Sequence, residues 1–136
     1  MAEGKLDGRH YRWGWASLGV FALIGLALET LHGFKIGAYL DHETRRTMWR
    51  LAHAHGAVLG LVHLALAAQL RGAAELGGKT PRASLALCVA SVTMPLGFFL
   101  GGLWFYDADP GLGILLVPLG AVALVYACLQ MWLDAR

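Results

Sequence analysis

Three histidines, His53, His55 and His63, fall within the apolar run Arg50-Leu51-Ala52-His53-Ala54-His55-Gly56-Ala57-Val58-Leu59-Gly60-Leu61-Val62-His63. Imidazoles ligate metals and carry protons, and ionisable groups inside a membrane segment point to a functional site. On an α-helix, at about 100° and 1.5 Å per residue, His53 and His55 lie roughly 200° apart. One helix therefore does not close both onto a single ion. The spacing predicts a helix that serves two sites, each finished by a different neighbour. His63 lies about 12 Å beyond His55 and about 80° away from each of the others. It reads as a deeper pore-lining or packing residue. The alternative for His53 and His55 is a pair of hydrogen-bonded histidines between helices.

Upstream, Glu29 and His32 are three residues apart and share a helical face. Glu-x-x-His is a di-metal ligand spacing in helix bundles, and one copy supplies half of such a site. Glu29 and His32 with one of His53 or His55 make a second candidate metal set, for copper, zinc or iron. In the simpler reading, Glu29 accepts a hydrogen bond from a histidine and fixes its tautomer. His10 and His42 fall in polar segments and read as ordinary solvated residues. Cys88 and Cys128 form no C-x-x-C and no C-x-x-C-H, so zinc-ribbon and covalent haem sites are not indicated. They read as small core residues. No Ser-His-Asp set, phosphate loop or carboxylate pair is visible, and Asp107 and Asp109 suit a turn.

The elements that must position these groups are membrane helices. Hydrophobic residues make up 57% of the 136 and charged residues 15%, against about a quarter charged in soluble domains; mean hydropathy is +0.56. A net charge of +2 argues for no nucleic-acid partner. The hydropathy predicts an all-α integral membrane protein, one four-helix transmembrane bundle running up and down. Its helices are expected at about 13–34, 48–70, 83–105 and 111–133, each near the ~20 residues a span takes. Residues 1–12 read as a basic tail. The run from Trp13 is too long for a signal-peptide core and lacks a small-x-small cleavage site. Residues 35–47 and 71–82 are loops, Tyr106–Pro110 is a tight turn, and Pro95 and Pro118 fall inside helices, where proline frees a carbonyl and kinks the axis. Trp13, Trp15, Trp49, Trp104 and Trp132 flank the apolar runs as interface anchors. Gly56/Gly60 and Gly97/Gly101 permit close helix approach, or the flat approach of a planar cofactor.

Lys and Arg counts set the expected orientation. Seven (Lys5, Arg9, Arg12, Arg71, Lys79, Arg82, Arg136) fall on one side, and four (Lys35, Arg45, Arg46, Arg50) on the other. Both termini are expected in the cytoplasm, in a multi-pass protein of a bacterial inner membrane. The four outer positives are the anomaly: either the short loop tolerates them or they neutralise an anionic ligand.

The segment Ala52-His53-Ala54-His55-Gly56-Ala57-Val58-Leu59-Gly60 resembles the His-x-His segment of haem-copper oxidase subunit I, most closely in the C-type oxidases and nitric oxide reductases. In that family the two histidines point to opposite sides of one helix, one toward a low-spin haem and the other toward the active-site haem. Family subunits have about twelve helices in three arcs of four; this chain has the size of one arc. The resemblance implies a homotrimer that rebuilds the ring, with haem b held between His53 of one chain and His55 of the next. It implies cofactor contacts for Gly56 and His63, and pairing of haem propionates with Arg45, Arg46 and Arg50. The chain departs from the family in having no Tyr-His pair and no adjacent His-His for a copper ion, so oxygen or nitric oxide reduction is not implied.

The leading expectation is a small membrane b-type cytochrome, for electron transfer with a redox partner or for haem binding, with no catalytic residue of its own. The alternatives are a membrane copper, zinc or iron site, and a small transporter or proton relay using Glu29 and the histidines.

Overall fold

The computed structural model describes residues 3–73 and 77–134. Among these, all regular structure is helical: α1 (Glu3–Gly33), the one-turn α2 (Gly37–Leu40), α3 (Glu43–Gly72), α4 (Thr80–Leu103), a 3₁₀ turn (Leu112–Leu115) and α5 (Leu116–Asp134). Four of the helical segments are long and apolar enough to cross a membrane: Leu6–Gly33, Glu43–Gly72, Thr80–Leu103 and Leu112–Asp134. In hydrocarbon every backbone amide needs an internal partner, and a continuous helix supplies it.

The helices lie in a row. α1 packs along α3, α3 on α4 and α4 on α5, while α1 and α5 form no packed face with each other. The four-helix bundle is therefore opened out, with α1 and α5 as its edges. The core runs through the middle of the row, around Leu59, Leu66, Leu70, Leu87, Met94 and Ala127. Small residues set the spacing. A methyl group on Gly14 would meet the Gly60 carbonyl at 2.9 Å, and one on Gly97 would meet Val117 at 2.9 Å. Of the glycine pairs noted in the sequence, Gly56, Gly60 and Gly97 thus lie at tight contacts, while a Cβ on Gly101 would make ordinary contact with Ile114 at 3.5 Å.

Three differences from the expected boundaries matter for function. First, α1 begins at Glu3, so residues 3–12 are helical and not a solvated tail. Two of their polar side chains find partners on neighbouring helices: Arg71 pairs with Asp7 at 3.2 Å, and Arg9 donates to Ser84 Oγ. Second, the 35–47 loop contains α2, and α3 begins at Glu43 inside it. An acidic residue in the first turn and Arg71 in the last suit the helix dipole. Third, Pro118 lies in the first turn of α5, behind the 3₁₀ turn, and not in a helix interior. Amides of a first turn have no intrahelical partner, so the missing N–H costs little there. Pro95, by contrast, is inside α4 as expected. Of the positions counted for orientation, Arg136 lies outside the described residues, as do residues 74–76 of the second loop.

Candidate functional site

α3 is flanked by α1 on one side and α4 on the other, and its three histidines go to three different places. His53 faces α1. Its Nδ1 lies 2.7 Å from the Phe21 carbonyl oxygen. A carbonyl only accepts, so the neutral ring carries its proton on Nδ1 and leaves Nε2 as a lone pair. The ring fits because residue 25 is glycine. A Cβ there would stand 2.5 Å from His53 Cε1.

His55 faces α4, with its ring centroid 4.6 Å from that of Phe98. Its Nδ1 lies 2.8 Å from the Leu51 carbonyl oxygen, one turn back in the same helix. The same reasoning puts the proton on Nδ1 and the lone pair on Nε2. Both histidines of the pair therefore have the tautomer of a metal-ligating imidazole whose other nitrogen is tied down. They lie against different neighbours, as the 200° offset predicts.

A cavity of about 1160 Å³ opens between α1 and α3 beside His53, at the upper end of the range for ligand sites. Glu29, His32, Arg46, Arg50 and His53 all line it, together with Tyr39 and Gly25. Five of the residues singled out in the sequence are thus gathered at one place. Glu29, His32 and Arg50 are exposed, and His53 is half-buried. An exposed guanidinium on Arg50 and an apolar wall beside the His53 ring suit a ligand with acidic substituents.

Other candidates go elsewhere. Arg45 is not on this cavity: it donates to the carbonyls of Ala38 at 2.5 Å and Gly102 at 3.1 Å, and lies over the rings of Trp49 and Phe105. The long fork of Arg45 closes the loop against the end of α4, so its charge is spent on backbone. Arg46 lines the cavity while donating to the Leu40 carbonyl. These bonds account for two of the four outer positives without a ligand. Gly56 faces the ring of Phe21, whose Cε2 would lie 2.1 Å from an added Cβ, and Ser17 Oγ donates to its carbonyl at 2.9 Å. It serves the α1–α3 crossing, and a cofactor cannot lie flat on it there. Glu29, His32 and His53 share a cavity wall without forming a compact ligand set.

His63 is fully buried, deep in the other half of α3. Its Nδ1 lies 2.6 Å from Nδ1 of His10, the rings stack at 4.8 Å, and His10 Nε2 lies 2.6 Å from Ser84 Oγ. His10, expected to be solvated, is also fully buried. The extension of α1 to Glu3 carries it under α3 and α4. Trp13 covers the pair, its indole 5.9 Å from the His63 ring and its N–H donated to Ser91 Oγ at 3.1 Å. Cys88 completes the surroundings. Ring nitrogens of His10 and His63 and the Cys88 sulfur lie within 4.8 Å of one another, the compact group of metal-ligating side chains among the described residues.

A signal for this cluster was present in the sequence. His10, Gly14, Ser17, Phe21, Gly25 and Leu28 recur every three or four residues, and they form the face of α1 that packs on α3. Extending that stripe back by one turn puts His10 on the buried side.

Comparison with protein-family models, with curated proteins and with solved structures found no match.

Proposed function

We propose that this chain is a small membrane haem protein that binds b-type haem through His53 and His55 for electron transfer. The observation that carries the reading is the shared tautomer: each ring gives its Nδ1 proton to a backbone carbonyl, at 2.7 and 2.8 Å, and keeps an Nε2 lone pair. Because the two rings lie against different helices, one haem held by both needs His53 of one copy and His55 of another. The flanks of α1 and α5, which do not pack on each other, leave edges on which copies would meet. Arg50, exposed beside His53, is suited to a haem propionate. Haem supplies the one-electron chemistry when bound. The chain supplies two fixed neutral imidazoles, an apolar wall and a counter-charge. The reading places the protein in the cytoplasmic membrane of a bacterium, with both termini inside.

The test is a reduced-minus-oxidised absorption spectrum of the detergent-extracted protein, before and after addition of haemin. A bis-histidine low-spin spectrum is expected, lost in both His53→Ala and His55→Ala, with an oligomer by native mass spectrometry. A protein that shows no Soret band and gains none with haemin overturns the proposal.

A further inference from the structure

At the opposite end of α3 from the haem candidate, the buried His10–His63 pair fails to satisfy itself. Two neutral imidazoles facing through Nδ1 share one proton, so one ring donates and the other accepts. His10 spends its remaining nitrogen on Ser84, whose hydroxyl also receives Arg9. His63 has nothing left: its Nε2 is buried without any hydrogen-bond partner. Leaving such a group unpaired costs roughly 1–3 kcal/mol. Beside the pair stands a thiol, Cys88, on α4. Two imidazoles and a thiol from three helices, beside the indole of Trp13, make a compact set of metal-ligating donors.

We propose that His10, His63 and Cys88 form a binding site for a monovalent copper ion, separate from the haem site and independent of it. Thiolate with imidazole selects soft or borderline cations, Cu(I) and Zn(II) foremost. The surroundings choose between them. Cu(I) with one thiolate is neutral, which suits an apolar interior. Zn(II) with one thiolate keeps a positive charge next to the guanidinium that Arg9 holds on Ser84. Binding is a ligand exchange with no change of oxidation state. A Cu–S bond and bonds to His10 Nδ1 and one nitrogen of His63 form; the hydrogen bond between the two Nδ1 atoms and the ion's solvent ligands are given up, His63 keeps its proton on its other nitrogen, and the thiol proton leaves to solvent. His10 keeps its ring proton on the nitrogen next to Ser84. Ser84 is then a positioning residue.

The experiment uses the full chain in detergent under anaerobic conditions, loaded with Cu(I) and challenged with a Cu(I)-specific chromogenic chelator. One copper per chain is expected to survive, with retention falling at least tenfold in Cys88→Ser and in His63→Gln. Copper-edge X-ray absorption should show both nitrogen and sulfur ligands. As a readout that needs no variant, Cu(I) should slow alkylation of Cys88 at least tenfold while leaving the exposed Cys128 unaffected. Three results would each overturn the proposal: copper stripped completely by the chelator, equal labelling of Cys88 with and without copper, or retention of Zn(II) in preference to Cu(I).

Discussion

Substituting Gly25 by alanine separates the haem-ligand role proposed for His53 from its packing role. An alanine Cβ at residue 25 would stand 2.5 Å from Cε1, 3.0 Å from Nδ1 and 3.2 Å from Nε2 of His53, whereas ordinary contact begins at 3.4 Å. The ring must retreat by about 0.9 Å at its nearest atom, given 2.5 Å now and 3.4 Å needed. The Phe21 carbonyl it bonds is also the one that accepts the helical N–H of residue 25, four positions on. Retreat from that turn therefore stretches the 2.7 Å Nδ1 bond beyond hydrogen-bonding range. Two stability terms nearly cancel. Loss of the bond costs about 0.5–1.5 kcal/mol, and exchanging glycine for alanine inside a helix returns about 1 kcal/mol. The melting temperature should move little. Haem affinity should not be spared, because the freed ring loses the hydrogen bond that fixes its orientation; such losses weaken metal binding roughly 10–100-fold. The assay is a haemin titration followed at the Soret band, with thermal unfolding by circular dichroism alongside. Gly19→Ala is the control, since a Cβ at residue 19 has nothing within 4 Å. It should raise the melting temperature by about 3–5 °C and leave haem affinity unchanged. If Gly25→Ala binds haem as tightly as the parent, the assignment of His53 as a ligand fixed by its Nδ1 bond is wrong.

Four further outcomes follow from single contacts. Asp134 accepts from the Lys79 amide at 3.0 Å and from Thr80 Oγ1 at 3.1 Å, so the last turn of α5 caps the start of α4; Asp134→Ala should cost about 1–2 kcal/mol in a chemical-denaturation measurement in detergent. Breaking the Arg71–Asp7 pair with Asp7→Asn should change stability by less than about 1 kcal/mol, because Arg71 is half exposed. Arg45→Ala should lower the melting temperature through loss of its bonds to Ala38 and Gly102, whereas Arg50→Ala, on the cavity wall, should weaken haemin binding with little effect on melting. Gly102→Val should destabilise most, since even a Cβ there meets Met48 Cβ at 2.8 Å and Trp49 Cδ1 at 2.8 Å, and these atoms belong to a packed helix crossing with no flexible end to yield.

What was legible in the sequence was whatever depends on periodicity. Four long apolar runs gave four long helices, and the offset between His53 and His55 placed them against different neighbours because helix geometry leaves no other option. Less legible was whatever depends on partners far along the chain. His10 looks solvated beside Arg9 and Arg12, and only the approach of Ser84 and His63, 74 and 53 residues away, buries it. Arg45, Arg46 and Arg50 are equivalent as outer positives, yet carbonyls at residues 38, 40 and 102 claim the first two. Gly56 looked free for a cofactor next to the histidines until Phe21 filled the space above it. Gly25 shares the spacing of the α1 stripe, but nothing near it in the sequence points to His53. Its role appears only when the ring of His53 is laid across it.

The two ends of the row differ in how completely their polar groups are matched, and this bears on where chemistry can occur. At the end where α1 begins, Asp7 meets Arg71, Arg9 meets Ser84, and Asp134 meets Lys79 and Thr80. These bonds lock four helices together, so that the buried polar atoms left without a partner among the described residues, His63 Nε2 and Asp7 Oδ1, stand in rigid surroundings. At the other end, Arg45 and Arg46 tie down the loop, but Glu29, His32 and Arg50 remain exposed on a wide cavity. A small ion suits the first setting, where ligands are held from three helices and reorganisation is small. A large ligand suits the other, where Glu29, His32 and Arg50 stand exposed beside His53 on the wall of the cavity. The division predicts that the two sites load independently. Saturating the protein with haemin should leave its Cu(I) stoichiometry unchanged, and Cys88→Ser should leave the haem spectrum unchanged. A haem band that shifts when Cu(I) is added would mean that the two ends are coupled through α3, against this account.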